Sequence, residues 1–362
     1  MAQEWACEPH TRAKHALLRA YVDAWVPIIA HAAIRIGRRE EIVLIDAFAG
    51  PGGYTTGDAG SPLILLNAVL SRSELRAAWS AQRFRVLLIE QDPTFAAALL
   101  ARVAALGDLP PNVTVDVRHG RFEAEIDLEL QRRRGGASPS TFAFIDPFGY
   151  SRSPMDLTRS LRIGQRVDTL TFVPFENVTR FLGRVGQEAA MDNLFGSPEW
   201  RDAILMSGAQ RTEFLIALYR RQLTGPGQGR HSLVFGVTTR DGHDYRLFFS
   251  TDHPVGVERM KDAMWKVDPV NGAQFVASPM EGEPVLFSVE PDLGALRRVV
   301  VARFAGRSVA VDDLEKFVTL ETAFRKQHLR SALKPLSEAE LTVARPTGKT
   351  RGWPVGSVLT FR

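Results

Sequence analysis

The stretch VLIDAFAGPGGY, Val43 to Tyr54, decides how the rest of the chain reads. Its apolar start predicts a short strand over 42–46, and Asp46, Phe48, Gly50, Gly52 and Gly53 follow in a D-x-F-x-G-x-G order. Glycines let a backbone swing away from a strand end and approach a ligand where a Cβ would clash. Two readings stand: a nucleotide-cradling turn of a doubly wound α/β sheet, or a purely structural strand-to-helix turn. The acidic start favours S-adenosylmethionine (SAM) over a dinucleotide. A pyrophosphate prefers a helix N-terminus free of carboxylates, whereas the ammonium at the methionine end of SAM suits Asp46.

Outward from this turn the pattern alternates. Apolar positions Leu17, Leu18, Tyr21, Val22, Trp25, Ile28 and Ile29 predict a helix near 11–34. Ser61-Pro62 predicts a helix start with Ser61 as cap. Strands follow at 84–90, 113–117, 141–146 and 168–173, with helices at 95–106 and 122–132 between them. Continuous apolar runs suit a parallel sheet covered on both faces. Helical sequence fills much of 186–223, and then 231–239 and 245–251 flank Arg240-Asp241-Gly242, a hairpin signal. A doubly wound sheet closed by an antiparallel hairpin is the seven-stranded layout of class I methyltransferases; a plain dinucleotide fold continues in parallel.

The tail reads as a separate module, giving domains 1–295 (with a helical insertion about 180–228) and 296–362. Two helices are expected at Val311–Val318 and Thr322–Leu333, followed by ELTVARP, a turn and the strand SVLTFR, the order of a winged helix. Lys326, Arg330 and Lys334 then share one face of the second helix, and Lys349 and Arg351 sit in the wing. In helix-turn-helix folds that helix enters the major groove; a protein-docking module with a solvated basic face is the other reading.

Charge agrees with the division. The whole chain carries 45 Lys and Arg against 41 Asp and Glu, yet the tail from Leu296 holds 13 against 6, so its surplus is balanced by a mildly acidic body. That asymmetry points to a polyanion contact, DNA or RNA. Cys7 is the single cysteine, which excludes an intrachain disulfide or a cysteine metal cluster and fits a reducing cytoplasm. The N-terminus lacks the apolar core of an export signal. No segment is expected to supply the ~20 apolar residues of a membrane span, and no metal site is expected.

Chemistry is expected beyond the strand ends. Glu90 closes the second strand where a ribose diol would bind, since Asp92 before Pro93 is the better helix cap. Gly120, Arg121 and Phe122, after the third strand, are placed for an adenine. Asp146-Pro147-Phe148-Gly149-Tyr150 ends the fourth strand. There Asp146 can accept from an exocyclic amine, and Phe148 or Tyr150 can stack on a flipped base; the same residues could simply form a tight turn. Lys14 and His15 are either helix-surface residues or part of a helix closing over the cofactor.

Taken together, K-H-x-L-L-x-x-Y (14–21), D-A-F-A-G-P-G-x-Y (46–54), G-S-P-L (60–63), L-I-E (88–90), F-I-D-P-F-G (144–149) and F-S-T-D-H-P-x-G (249–256) resemble the three-Cys-motif partner proteins, a bacterial methyltransferase-like family. The Lys14-His15, glycine-turn, Gly60-Ser61-Pro62, Glu90 and D-P elements are also similar to a bacterial N6-adenine ribosomal-RNA methyltransferase family. The resemblance implies SAM held by the first elements, including Tyr54, with Asp146-Pro147 facing a target amine. Amino-methyltransferases of nucleic acid usually carry D/N-P-P-F/Y, whereas Phe148 and Gly149 follow Pro147 here. The expected function is SAM-dependent methylation of a nucleic-acid base nitrogen. The alternative is a non-methylating partner that assists a three-cysteine-motif protein in nucleic-acid modification or repair.

Overall fold

The computed structural model describes residues 5–71, 79–133, 138–147, 149–150, 154–162, 166–225, 230–277 and 291–362. Its centre is an eight-stranded sheet in the order β3-β2-β1-β4-β5-β7-β6-β8. The strands are β1 Glu41–Asp46, β2 Arg83–Glu90, β3 Val113–His119, β4 Ser140–Ile145, β5 Val167–Val173, β6 His231–Thr238, β7 Asp244–Thr251 and β8 Gln274–Val276. Strands β1 to β5 run parallel to one another. Strand β7 runs antiparallel to both β5 and β6. The expected hairpin therefore closes the sheet, but the seven-stranded expectation is one short. The eighth strand is three residues long and pairs parallel with β6, each residue with one 38 positions earlier, so no local pattern announces it.

Burial explains the strands. All six β4 residues are buried, as are Ile42 to Asp46 in β1, because helices cover both faces. On one face lies α1, Pro9–Arg35, with Leu17, Leu18, Tyr21, Val22, Trp25 and Val26 turned to the sheet. Its Tyr21 hydroxyl and Trp25 indole N–H both donate to the half-buried Asp168 carboxylate of β5, at 2.7 and 2.8 Å. This helix is long and apolar enough to cross a membrane by length and composition, contrary to the expectation from sequence. Here its apolar stripe packs on the sheet and on helix Ser61–Leu70.

Two further apolar cores stand apart from the sheet core. The helical insertion gathers Phe175, Val178, Met191, Leu194, Phe195, Trp200, Leu215, Leu218 and Tyr219 around Phe248. The tail gathers Leu296, Val300, Leu314, Val318, Leu329, Leu333, Leu359 and Phe361. It runs helix Leu293–Phe304, strand Ser308–Ala310, helix Val311–Glu321, helix His328–Leu333, then strands Leu341–Ala344 and Val358–Phe361 in a three-stranded antiparallel sheet. Its second expected helix, 322–333, is cut short. Lys326 lies before its first turn, so Lys326, Arg330 and Lys334 do not share one helical face.

The interruption is caused by the body. Lys261, in helix Pro254–Val267, is buried and donates to the carbonyls of Val318, Thr319, Thr322 and Phe324 at 2.5–3.0 Å. Trp265 donates from the same helix to Ala323 O at 3.1 Å. Carbonyls committed to those donors cannot continue the helical ladder.

Candidate functional site

A crevice crosses the carboxyl ends of the parallel strands where the order reverses between β1 and β4, the position at which open α/β sheets bind ligands. It consists of two cavities that share Phe48. The larger, about 560 Å³, runs from the glycine turn past Asp146 to Tyr245. The smaller, about 150 Å³, lies over β2 and β3 and is lined by Glu90, Gly120, Arg121 and Phe122.

The glycine turn forms the floor. Gly50 has φ +60°, and a Cβ there would meet no atom within 4 Å, so the turn opens onto free space. Gly60 is constrained in the opposite sense: a Cβ would come within 2.8 Å of the Gly52 carbonyl carbon. The helix begins at Ser61 itself with Gly60 at the cap, one residue from the expected arrangement. Gly52, Gly53 and Tyr54 line the larger cavity, and Arg102 supports the turn by donating to Pro51 O at 2.7 Å.

Asp46 lies beneath this floor rather than in its wall. It is wholly buried; Oδ1 accepts the Phe48 N–H at 3.2 Å and, among the described residues, Oδ2 has no hydrogen-bond partner. Burial pushes its carboxyl up to about 7, opposed by the Ser61 hydroxyl and the Phe48 N–H. Glu90, read from sequence as free, is engaged: its two oxygens accept the Gly50 and Asp92 N–H groups, each at 2.7 Å. It thereby ties the glycine turn to the end of β2 while still lining the smaller cavity. Asp92 caps the next helix as expected, accepting from Thr94 and Phe95.

Asp146, unlike Asp46, does line the larger cavity, together with Glu8, and it is paired with the Lys14 ammonium. Lys14 is itself buried and stands 4.5 Å from the centre of the Phe172 ring. The two adjacent N-terminal residues separate. His15 points away from the crevice into a groove behind α1, packed 5.7 Å from the Tyr54 ring and pulled down to about 3 by burial.

Pro147 and Gly149 line the cavity, while Phe148 lies outside the described residues. Tyr150 is not available for stacking on a base. It is buried against the insertion, with its hydroxyl on Gln187 and its ring 6.1 Å from Phe181. Besides Phe48 and Tyr54, which the sequence singled out, the cavity is lined by the aromatic rings of Trp5, His10, Phe172 and Tyr245, which it did not. Tyr245 was legible only as a strand position, and Asn177 fell between the expected strand 168–173 and the helical stretch beginning about 180.

The basic residues of the tail divide. Lys326 is tied to Glu258 of the body at 3.0 Å, and Arg330 donates to Trp353 O at 3.0 Å. Lys334, Lys349 and Arg351 are exposed. Among the described residues no cluster of His, Cys, Asp and Glu is arranged to hold a metal ion.

No family model matches the chain, and no curated protein matches it. Solved structures do. One, assigned as a methyltransferase, from Porphyromonas gingivalis W83, is 12% identical over 62% of this chain, with a TM-score of 0.28; the chain spans 40% of its length. A SAM-dependent methyltransferase from Methanosarcina mazei is 12% identical, covering 59% of this chain and 92% of its own, with a TM-score of 0.26. A cyclopropane synthase from Mycobacterium tuberculosis is 11% identical, covering 66% and 69%, also with a TM-score of 0.26. The fold is defined by the strand order itself, a parallel-dominated mixed sheet with an antiparallel strand between β5 and β6.

Proposed function

We propose that the crevice binds SAM and that the chain transfers a methyl group to a base nitrogen of nucleic acid. The observation that carries this reading is the pair of cavities meeting at Phe48 above the β1–β4 switch, in a sheet whose β7 is antiparallel. The residues fit the group: Gly50 leaves open space, Glu90 offers its carboxylate to a ribose, and Gly120 to Phe122 bound an adenine-sized volume. SAM supplies a methyl on a sulfonium leaving group, so the protein needs mainly to align the acceptor nitrogen. Asp46 acts from below by fixing the turn. Asp146 and Pro147 flank the acceptor, with Lys14 holding the Asp146 carboxylate in place. The tail, read as a winged helix, offers Lys334, Lys349 and Arg351 to a phosphate backbone.

The test is calorimetric titration with SAM of the wild type and of Glu90→Ala, followed by methyl transfer to DNA and RNA. Micromolar binding weakened at least tenfold in the variant is expected; a folded wild type that binds no SAM removes the reading.

A second reading is favoured by the closed Lys14–Asp146 pair and by Phe148-Gly149 in place of a second proline and aromatic. In it the chain keeps SAM but transfers nothing alone, and assists a three-cysteine-motif protein. SAM binding without methylation of any nucleic acid distinguishes it.

A further inference from the structure

The crevice continues beyond the Lys14–Asp146 pair, and its wall changes character there. The strand order sets the scale. From β1 to β7 is three strand steps, β1-β4-β5-β7, or roughly 14 Å at ~4.8 Å per step. Because β7 is antiparallel, its first residues, not its last, reach the edge where the parallel strands end, which is how Tyr245 enters the cavity. The glycine turn and the Tyr245 end are thus separate halves of one trough.

Three rings tier along this outer half. Phe172 and Tyr245 stack with centroids 4.9 Å apart at 17°, and His10 from α1 lies parallel to Tyr245 at 5.9 Å and 2°. Burial and the Lys14 charge pull His10 below its ordinary value, so at neutral pH it is an uncharged flat ring. Beside them Asn177 lines the cavity, and its carboxamide has no partner among the described residues. A half-buried carboxamide with both donor and acceptor unused is matched by a ring edge that carries both.

We propose that this outer half is an acceptor subsite for one planar heteroaromatic ring, stacked on the His10–Tyr245–Phe172 tier with its donor–acceptor edge read by Asn177. The assignment rests on reading the crevice as a methyl-transfer site, but it concerns residues that the cofactor half does not use. Tyr245 and Asn177 are specificity residues in it, and Asp146 sits between the ring and the glycine turn.

The test titrates the full chain with the four ribonucleoside 5′-monophosphates and, separately, with SAM. The variants are Tyr245→Ala, Tyr245→Phe and Asn177→Ala, each checked for an unchanged melting transition. At least one monophosphate is expected to bind the wild type. Its affinity should fall roughly 10- to 100-fold in Tyr245→Ala and Asn177→Ala and be restored in Tyr245→Phe, which keeps the stacking face. SAM affinity should stay within about twofold throughout. Loss of SAM binding in Tyr245→Ala or Asn177→Ala would overturn the assignment by placing these residues in the cofactor half. So would the absence of any monophosphate binding up to about 10 mM, or binding indifferent to the variants. Monophosphate binding of the expected pattern in a protein that binds no SAM would keep the subsite and reject the methyl-transfer reading.

Discussion

Two lysine ammonium groups are buried in this chain and are held in opposite ways. Lys261, at the join between body and tail, is surrounded by four backbone carbonyls, and among the described residues no carboxylate is paired with it. Lys14, in the crevice, has one carboxylate, one aromatic face and a cavity in front of it. An amine whose donors are consumed by fixed carbonyls is structural: it satisfies the Val318 and Thr319 carbonyls at the C-terminal end of helix Val311–Glu321, as a helix end requires. A cation held from one side over open space keeps donor capacity for a ligand. Burial alone does not separate the two; the identity and number of their partners does.

That contrast can be broken experimentally. Lys261→Met should strand several buried carbonyls, and the expected loss is about 4 kcal/mol with the tail separating from the body, followed by denaturant unfolding and limited proteolysis. SAM affinity should not change; a loss under about 1 kcal/mol would deny the lysine its structural role.

The crevice should behave in the reverse manner, as Asp46 shows. Its carboxyl is raised to about 7 when folded, so between the ordinary Asp value and 7 the native state holds a proton that the unfolded state lacks. Stability of the wild type then falls as pH rises from about 4 through 7, and the deficit is complete above that. Asp46→Asn should flatten this slope and raise apo stability at pH 8 by roughly 2 kcal/mol, as read from melting curves across pH. A slope identical in the two proteins would show that the carboxyl is not strained.

The smallest stability effect is expected at Lys14→Met, about 1.5 kcal/mol, because Asp146 is mostly buried yet keeps some contact with solvent in the cavity. Its consequence should lie in turnover instead, with methyl transfer reduced about 100-fold through loss of alignment. Equal losses of stability at Lys14 and Lys261 would erase the distinction between them.

Much of the sheet was legible because its signals are local. Unbroken apolar runs mark β1, β2 and β4, and Asp241-Gly242 marks the β6–β7 hairpin. Asp92-Pro93 marks a helix start. What escaped depends on residues far apart in sequence. Strand β8 exists only through its pairing to β6, and the break before His328 exists because Lys261 and Trp265 engage the carbonyls there. Within the site, sequence position identified Asp46, Glu90 and Asp146 as carboxylates at strand ends. It could not show that Asp46 is sealed beneath the turn, that Glu90 binds two backbone N–H groups, or that Asp146 already has Lys14. Tyr150 was misplaced for the same reason, since its hydroxyl partner, Gln187, comes from the insertion.

The Lys261 contact also fixes what kind of device the tail can be. A module on a free tether raises local concentration and accepts many geometries. One clamped to the body at Val318, Thr319, Thr322 and Phe324 instead holds Lys349 and Arg351 at a set span from the crevice. It is a caliper rather than a tether: anything that bridges those side chains and the crevice must match that one span.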